Sequence, residues 1–355
     1  MGLTINPCSC CDIIMNKNAS DSSDFGGKSI EDEKQQLLSI EDPHERAIHC
    51  RVYLASLERY ATSARTQSYP YHCTPKGPFK TIIKTKKIRL SHYDSMRNDE
   101  TEGRFILNSF EKACCSLEKD GIVTADEKEQ LLSIELNSKH YIYREDKTLE
   151  YIDCEPYVIC FSASAPDDFV LERYTRTSET DIDDGVCFSF PTFQMANPVL
   201  GDYSSICSLC YGVFDFYFVR YGDEAAQNIF ENSIRFMKDV NLYFEDILEI
   251  ASNILSTSRL CVKDSKFECE KEVRMVAYIP KDEQYNEKIW DYISIEKIGE
   301  KKYAYVDVSE ILKSMDVFLS PHCTMECNEV ETFLSENGIK AHVHDKNSNK
   351  RIHHS

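Results

Sequence analysis

The sequence predicts a mixed α+β fold, and three observations point there. Short runs rich in Val, Ile, Tyr and Phe alternate with longer runs whose apolar residues recur every three or four positions. These runs do not follow one another in strict βαβ units, which disfavours a doubly wound parallel sheet. The chain has 355 residues, 42% of them apolar and 28% charged, the balance of a folded protein with one large domain or a domain and an appendage.

Taken in order, residues 1–30 read as a flexible lead-in, because the run from Lys17 to Ser29 is rich in Ser, Asp and Gly and has little apolar periodicity. Residues 31–67 read as a helical arm. Leu37, Leu38, Ile40, Ile48, Val52, Leu54, Leu57 and Tyr60 recur at helical steps, and Asp42-Pro43 breaks the run into two helices. The cluster of Tyr, Pro, His and Gly between Ser68 and Pro78 marks the start of the main domain, residues 68–355. Its strands are expected at Tyr71–Thr74, Ile88–His92, Tyr157–Ser162, Val186–Phe190, Gly212–Val219, Glu272–Ile279, Tyr303–Asp307, Val317–Leu319 and Lys340–His344. Its helices are expected at Phe79–Lys84, Glu100–Leu117, Ala125–Leu136, Asp168–Tyr174, Asp223–Ser256 and Glu326–Asn337, the last closed by Asn337-Gly338. Phe230, Ile234, Met237, Val240, Phe244, Ile247, Ile250 and Ile254 form a core-facing stripe in a helical insertion near 223–258.

Charge and cysteine content narrow the function classes. Lys plus Arg number 41 against 60 Asp plus Glu, a formal charge of −19, so a polyanion meets net repulsion unless a local basic patch overrides it. Nucleic acid is therefore not an expected partner. Lys76, Lys80, Lys84, Lys86, Lys87 and Arg89 form a local basic run whose ordinary meaning is a solvated face; it could also meet a diphosphate or an acidic partner. The 16 cysteines come with no secretory signal and no membrane-length apolar run, so reduced thiols and a cytoplasmic location are expected. Cys207 and Cys210 make a single C-x-x-C with no second pair at finger spacing, and His322, Cys323 and Cys327 cluster without completing a site, so no metal is expected. Gly2 with Cys8, Cys10 and Cys11 suggests acylation, but Asn6 stands where a myristoylation pattern wants Ser or Thr, and membrane attachment is not expected. The common phosphate-cradle and hydrolase signatures are absent, and 12 Gly leave little room for a glycine cradle.

Three segments carry candidate chemistry. Tyr69-Pro-Tyr-His-Cys-Thr74 offers His72 and Thr74 on one face of a short strand. Tyr157-Val-Ile-Cys-Phe-Ser-Ala-Ser164 ends in two small hydroxyl residues, Ser162 and Ser164, and leads to a helix closing on Arg173 and Tyr174. In Phe267-Glu-Cys-Glu-Lys-Glu-Val-Arg-Met-Val276, period-two alternation would put Glu268, Glu270, Glu272 and Arg274 on one strand face. Three carboxylates there repel, so the face is either a solvated edge or a cleft carboxylate held by Arg274. Asn98 or Asp99 with Glu102 resembles a capping box.

The order of these motifs over residues 69–345 resembles the bacterial family of domains of unknown function numbered 2971. It runs YHCT, the NDETE segment, CFS, LERYT, a Gly-hydrophobic-Phe strand and ECEKEVR. That family in turn resembles the ADP-ribosyltransferase fold of His–Tyr–Glu type. The resemblance implies a split antiparallel sheet with NAD bound as substrate in its cleft, and a protein acceptor. It implies that His72 and Thr74 meet the adenosine ribose, that Ser162 and Ser164 line the second cleft strand, and that Tyr174 stacks on nicotinamide. Glu272, two residues before Arg274, is the first choice for the catalytic carboxylate, and Glu270 the second.

The chemistry demands such a set. Breaking the nicotinamide–ribose bond builds positive charge on an oxocarbenium-like ribose, which a fixed carboxylate stabilises. A neutral imidazole can donate and accept at a ribose hydroxyl. Cys73, the Glu172-Arg173 pair and Val273 depart from the family pattern, where a second Tyr and Trp neighbours are usual. Three outcomes stay open: transfer to a protein, NAD hydrolysis, or a catalytically inactive fold used as an interaction module. The implied setting is a bacterial effector or toxin, delivered into a host cell without a cleaved signal peptide, or a defence protein.

Overall fold

The computed structural model describes residues 30–57, 70–95, 100–136, 139–143, 149–163, 166–176, 182, 184–189, 214–282, 293–309, 312 and 314–344. The expected lead-in, Asn98 and Asp99, Ser164, the N-terminal cysteines and the Cys207–Cys210 pair lie outside the described residues, as does the side chain of Glu102. In chain order the first elements are α1 (Ile30–Leu38), α2 (Pro43–Leu57), β1 (Tyr71–Pro75), α3 (Lys76–Thr85), β2 (Lys87–His92), α4 (Glu100–Lys119), α5 (Ala125–Leu132), β3 (Lys139–Tyr143), β4 (Leu149–Ser162), α6 (Asp168–Tyr174) and β5 (Gly185–Ser189). They continue as β6 (Phe214–Phe218), β7 (Arg220–Tyr221), α7 (Asp223–Asp239), α8 (Phe244–Cys261), β8 (Val262–Lys263), β9 (Glu272–Pro280), β10 (Ile293–Ile298), β11 (Lys301–Asp307), β12 (Ser314–Leu319), α9 (Cys327–Glu336) and β13 (Lys340–His344). The architecture is mixed α+β with a mainly antiparallel sheet, as the alternation of short strands and helices predicts.

The chain divides into two compact units. One gathers residues 1–66, 96–155 and 216–269; the other gathers 67–95, 156–215 and 270–355. The first is helical. Its core is the apolar stripe of α7 and α8 set against α2 and α4, with Phe110 and Phe230 meeting edge to face at 4.9 Å and Tyr53 stacked on Phe236 at 5.0 Å. The arm helices α1 and α2, separated at Pro43 as expected, belong to this unit. Arg46 donates to the carbonyl of Ile40 at 2.6 Å and to that of Val240 at 3.3 Å, and so ties the arm to the end of α7. The helical run expected over Asp223–Ser256 is broken between Val240 and Tyr243, where Asn241 takes a positive φ of 55° that a short amide side chain tolerates. Helix α5 opens on a capping box between Thr124 and Glu127 and ends at Leu132, four residues short of its expected end.

The second unit is the sheet. Its main path runs β10-β11-β2-β4-β1-β5-β12-β13, all neighbours antiparallel except β12 and β13, and β9 pairs with β4 off this path. Helix α3 lays Phe79, Ile82 and Ile83 on the sheet, with Phe79 against Phe188 at 5.7 Å and against Phe333 of α9 at 6.3 Å. Helix α9 ends at Asn337, and Gly338 takes the left-handed φ of 74° that such a terminus needs. β5 is buried along its whole length, and Gly185 is the residue that lets it lie so close: an added Cβ would stand 2.4 Å from the Thr74 carbonyl oxygen.

One cysteine expectation is corrected. Cys73 and Cys187 face each other across β1 and β5, 114 residues apart in sequence, and form a disulfide rather than two reduced thiols. Antiparallel neighbours bring side chains within bonding reach that nothing in the local sequence pairs. Cys50 and Cys114 are free and buried, and burial pushes each thiol up to about 12, which makes them inert packing residues.

Candidate active site

The site lies in the sheet unit, around the C-terminal end of β4. There Tyr71 of β1 pairs with Ser162 of β4. One residue on, the His72 ring engages the Cys160 carbonyl at 3.0 Å; since a carbonyl only accepts, Nδ1 carries the proton and Nε2 is left as an acceptor. Burial lowers the pKa of His72, and the ring sits edge-on to Phe161 and Phe188, both at 5.7 Å, so it is a neutral imidazole at neutral pH. Thr74 and Ser162 are both buried, Thr74 beside the close approach at Gly185.

The acidic segment is not the regular strand that its alternation predicts. Ser265–Glu270 form a turn of 3-10 helix, Lys271 takes a φ of 44°, and β9 begins only at Glu272. Glu268 is exposed, whereas Glu270 and Glu272 are each only 4% exposed, so the shared carboxylate face is replaced by two separately housed glutamates. The kink at Lys271 is tied down by its own carbonyl, which accepts from the Ala163 N–H at 2.7 Å and joins the end of β4 to the acidic segment.

Each buried glutamate has its own cation. Arg274, 1% exposed, donates through Nε to Glu272 Oε1 at 2.7 Å and through Nη2 to Oε2 at 3.4 Å, a forked contact within one strand face. Arg173 of α6 places Nη2 3.6 Å from Glu270 Oε1. Tyr174 hydrogen-bonds Glu270, and its phenol is raised far above its usual pKa by burial first, then by that bond and by the negative charges of Glu270 and Glu272. The Tyr174 phenol therefore keeps its proton and can donate a hydrogen bond to the Glu270 carboxylate. The Arg173 guanidinium lies 5.7 Å from the Tyr174 ring centre, which completes a compact Tyr–Glu–Arg cluster.

Helix α6 presents this cluster for local reasons. Asp167 caps its start by accepting from Val170 N–H at 2.9 Å, and Val170 and Leu171 bury its inner face. Leu171 packs with Cys187 and Phe318, and Tyr71 and Cys73 pack against the same group. Of the expected site residues, Tyr174, Glu270 and Glu272 stand together, and His72 and Ser162 stand at the β1–β4 meeting point. Arg173 is a participant that sequence reading passed over; its position beside Tyr174 on a capped helix was the available signal. Among the described residues, no group of three or more His, Cys, Asp or Glu side chains is arranged to hold a metal ion, and no helix is long and apolar enough to cross a membrane. No protein-family model matches the chain, and no curated protein and no solved structure matches it either.

Proposed function

We propose that the sheet unit is an ADP-ribosyltransferase-like domain that consumes NAD and transfers ADP-ribose to a protein acceptor. The observation that carries this reading is the Tyr174–Glu270–Arg173 cluster: a buried carboxylate beside a protonated phenol and a flanking cation. In this reading Glu270 takes the catalytic place. Glu272 is engaged by Arg274 and acts as a positioning residue. The Glu270 carboxylate accepts from the ribose 2′-hydroxyl and stabilises the oxocarbenium-like ribose as nicotinamide leaves with the bonding electron pair. The acceptor side chain then attacks the anomeric carbon and gives up its proton. Tyr174 orients the carboxylate and supplies a ring against nicotinamide, while the neutral His72 offers Nε2 to an adenosine ribose hydroxyl.

A second reading has its own observation. Glu270 and Glu272 are both deeply buried and both engaged, which suits a transferase fold that no longer turns over and serves as an interaction module. Incubation of the chain with labelled NAD, wild type beside Glu270→Gln, separates the outcomes. Label on protein, lost in the variant, supports transfer; free ADP-ribose instead supports NAD hydrolysis. No product and no NAD binding would sink both enzyme readings.

A further inference from the structure

We propose that the open face of the β10-β11-β2 end of the sheet is a docking platform for single-stranded nucleic acid. The proposal stands apart from the transferase reading and uses none of its residues. Strand β11 lies between β10 and β2, with Tyr305 opposite Arg89 and Tyr303 opposite Ser91. Lys87 and Arg89 are exposed while Ile88 and Leu90 are fully buried, so this strand face looks out to solvent. On β11, Ala304 and Val306 are buried, which leaves Tyr303 and Tyr305 on the same outward face, about 7 Å apart along the strand. The Arg89 guanidinium stands 4.7 Å from the Tyr303 ring centre.

Two rings at this spacing on a flat strand, with a guanidinium between strands, are what stacked bases require, because every base offers a π-face and the guanidinium stacks as well. Lys301-Lys-Tyr-Ala-Tyr-Val-Asp-Val308 partly follows the pattern that single-stranded RNA readers place on a central strand: Lys301, Tyr303, Ala304 and Val306 fit, whereas Lys302 stands for glycine, Tyr305 for phenylalanine and Val308 for the last aromatic. The bases on this face are Lys87, Arg89 and Lys301, so it carries more base than acid although the whole chain has a formal charge of −19; Lys86 turns away to donate to the Asn337 carbonyl at 2.8 Å. The acids on this face are Asp307, which lies opposite Lys87 and accepts from the Ser309 N–H at 2.8 Å, and Glu296, opposite Tyr303. An acidic peptide would satisfy Arg89 but leave both rings without a stacking partner, so a nucleic acid fits better.

The test is fluorescence anisotropy of the full chain with a labelled oligouridine of roughly 12 nucleotides, with the matching DNA and a polyglutamate peptide as separate arms. Binding is expected to weaken steeply with added salt. Tyr303→Ala with Tyr305→Ala should weaken it about tenfold or more, and Tyr303→Phe with Tyr305→Phe should leave it intact, since stacking survives. Arg89→Ala, at an exposed position, should weaken binding and reduce the salt slope by about one, which keeps the test valid if the double alanine variant fails to fold. No binding of either oligonucleotide up to about 100 μM at low salt overturns the proposal. Equal affinity in the Arg89→Ala chain overturns it, as does binding of polyglutamate alone, which would assign the face to an acidic protein.

Discussion

The two units differ in where they keep their carboxylates. In the helical unit most ion pairs sit at the surface: Lys34 with Asp239, Lys112 with Asp223, Lys238 with Glu127 and Arg235 with Asp120 each join residues distant in sequence and keep substantial contact with water. Its buried charges among the described residues are two cations, Lys263 and Arg51, the latter 3.0 Å from the half-exposed Glu249. In the sheet unit, Glu270, Glu272 and Arg274 are almost wholly withdrawn from solvent. Surface pairs in high dielectric contribute little and are screened by salt. A buried carboxylate costs several kcal/mol of desolvation and persists only beside a cation or strong donors. The helical unit therefore uses charge to orient helices over an apolar core, whereas the sheet unit concentrates its costly charge in one place, around the end of β4.

The largest test of that contrast is Arg274→Met. It leaves Glu272 buried without its main cation and should cost about 3–5 kcal/mol in denaturant unfolding. The loss should shrink as pH falls, because Glu272 can then take up a proton. Adding Glu272→Leu should restore most of the stability at neutral pH; a double variant as unstable as the single one would mean that the pair is not the source of the cost.

A smaller effect is expected at His72. Its folded-state pKa lies below the ordinary 6.5, so below that value the unfolded chain binds the extra proton and the folded chain does not. Stability should fall as pH drops from 6.5 towards the lowered value, and be unaffected by this group well above 6.5. His72→Gln should flatten that acid limb in melts taken across the range; an unchanged limb would place the sensitivity elsewhere. The smallest effect is Lys34→Ala in the helical unit, below about 1 kcal/mol and nearer zero in high salt. A loss as large as that of Arg274→Met would break the contrast between the units.

Much of the element pattern is legible in the sequence because short range physics decides it. The nine expected strands appear within a few residues of their places, with one extension, since β4 begins at Leu149 rather than Tyr157. The stripe in α7 and α8 is buried as its period demands, except that Phe244 is only half-buried. The strands that pattern reading missed are the ones whose local signal is poor: β10 carries Glu296 and Lys297 among its isoleucines, β3 opens with Lys139 and His140, and β7 and β8 are two residues each. The acidic segment misled for a different reason. Alternating Glu at 268, 270 and 272 has the period of a strand, yet a positive φ at Lys271 interrupts it, and no glycine at that position announces the turn.

What the sequence determined by itself is the mixed α+β class, the helical arm broken at Pro43, the termination of α9 at Asn337-Gly338 and the short list of groups able to do chemistry. Each depends on backbone preference or on periodicity within a dozen residues. Only the tertiary structure decided which of those groups meet: Tyr174 with Glu270, Arg274 with Glu272, the His72 ring with the Cys160 carbonyl, and Cys73 with Cys187. Three of those four meetings join residues about 90 or more positions apart, and such contacts depend on strand order and register, which the burial of a whole sheet face selects and no local window contains.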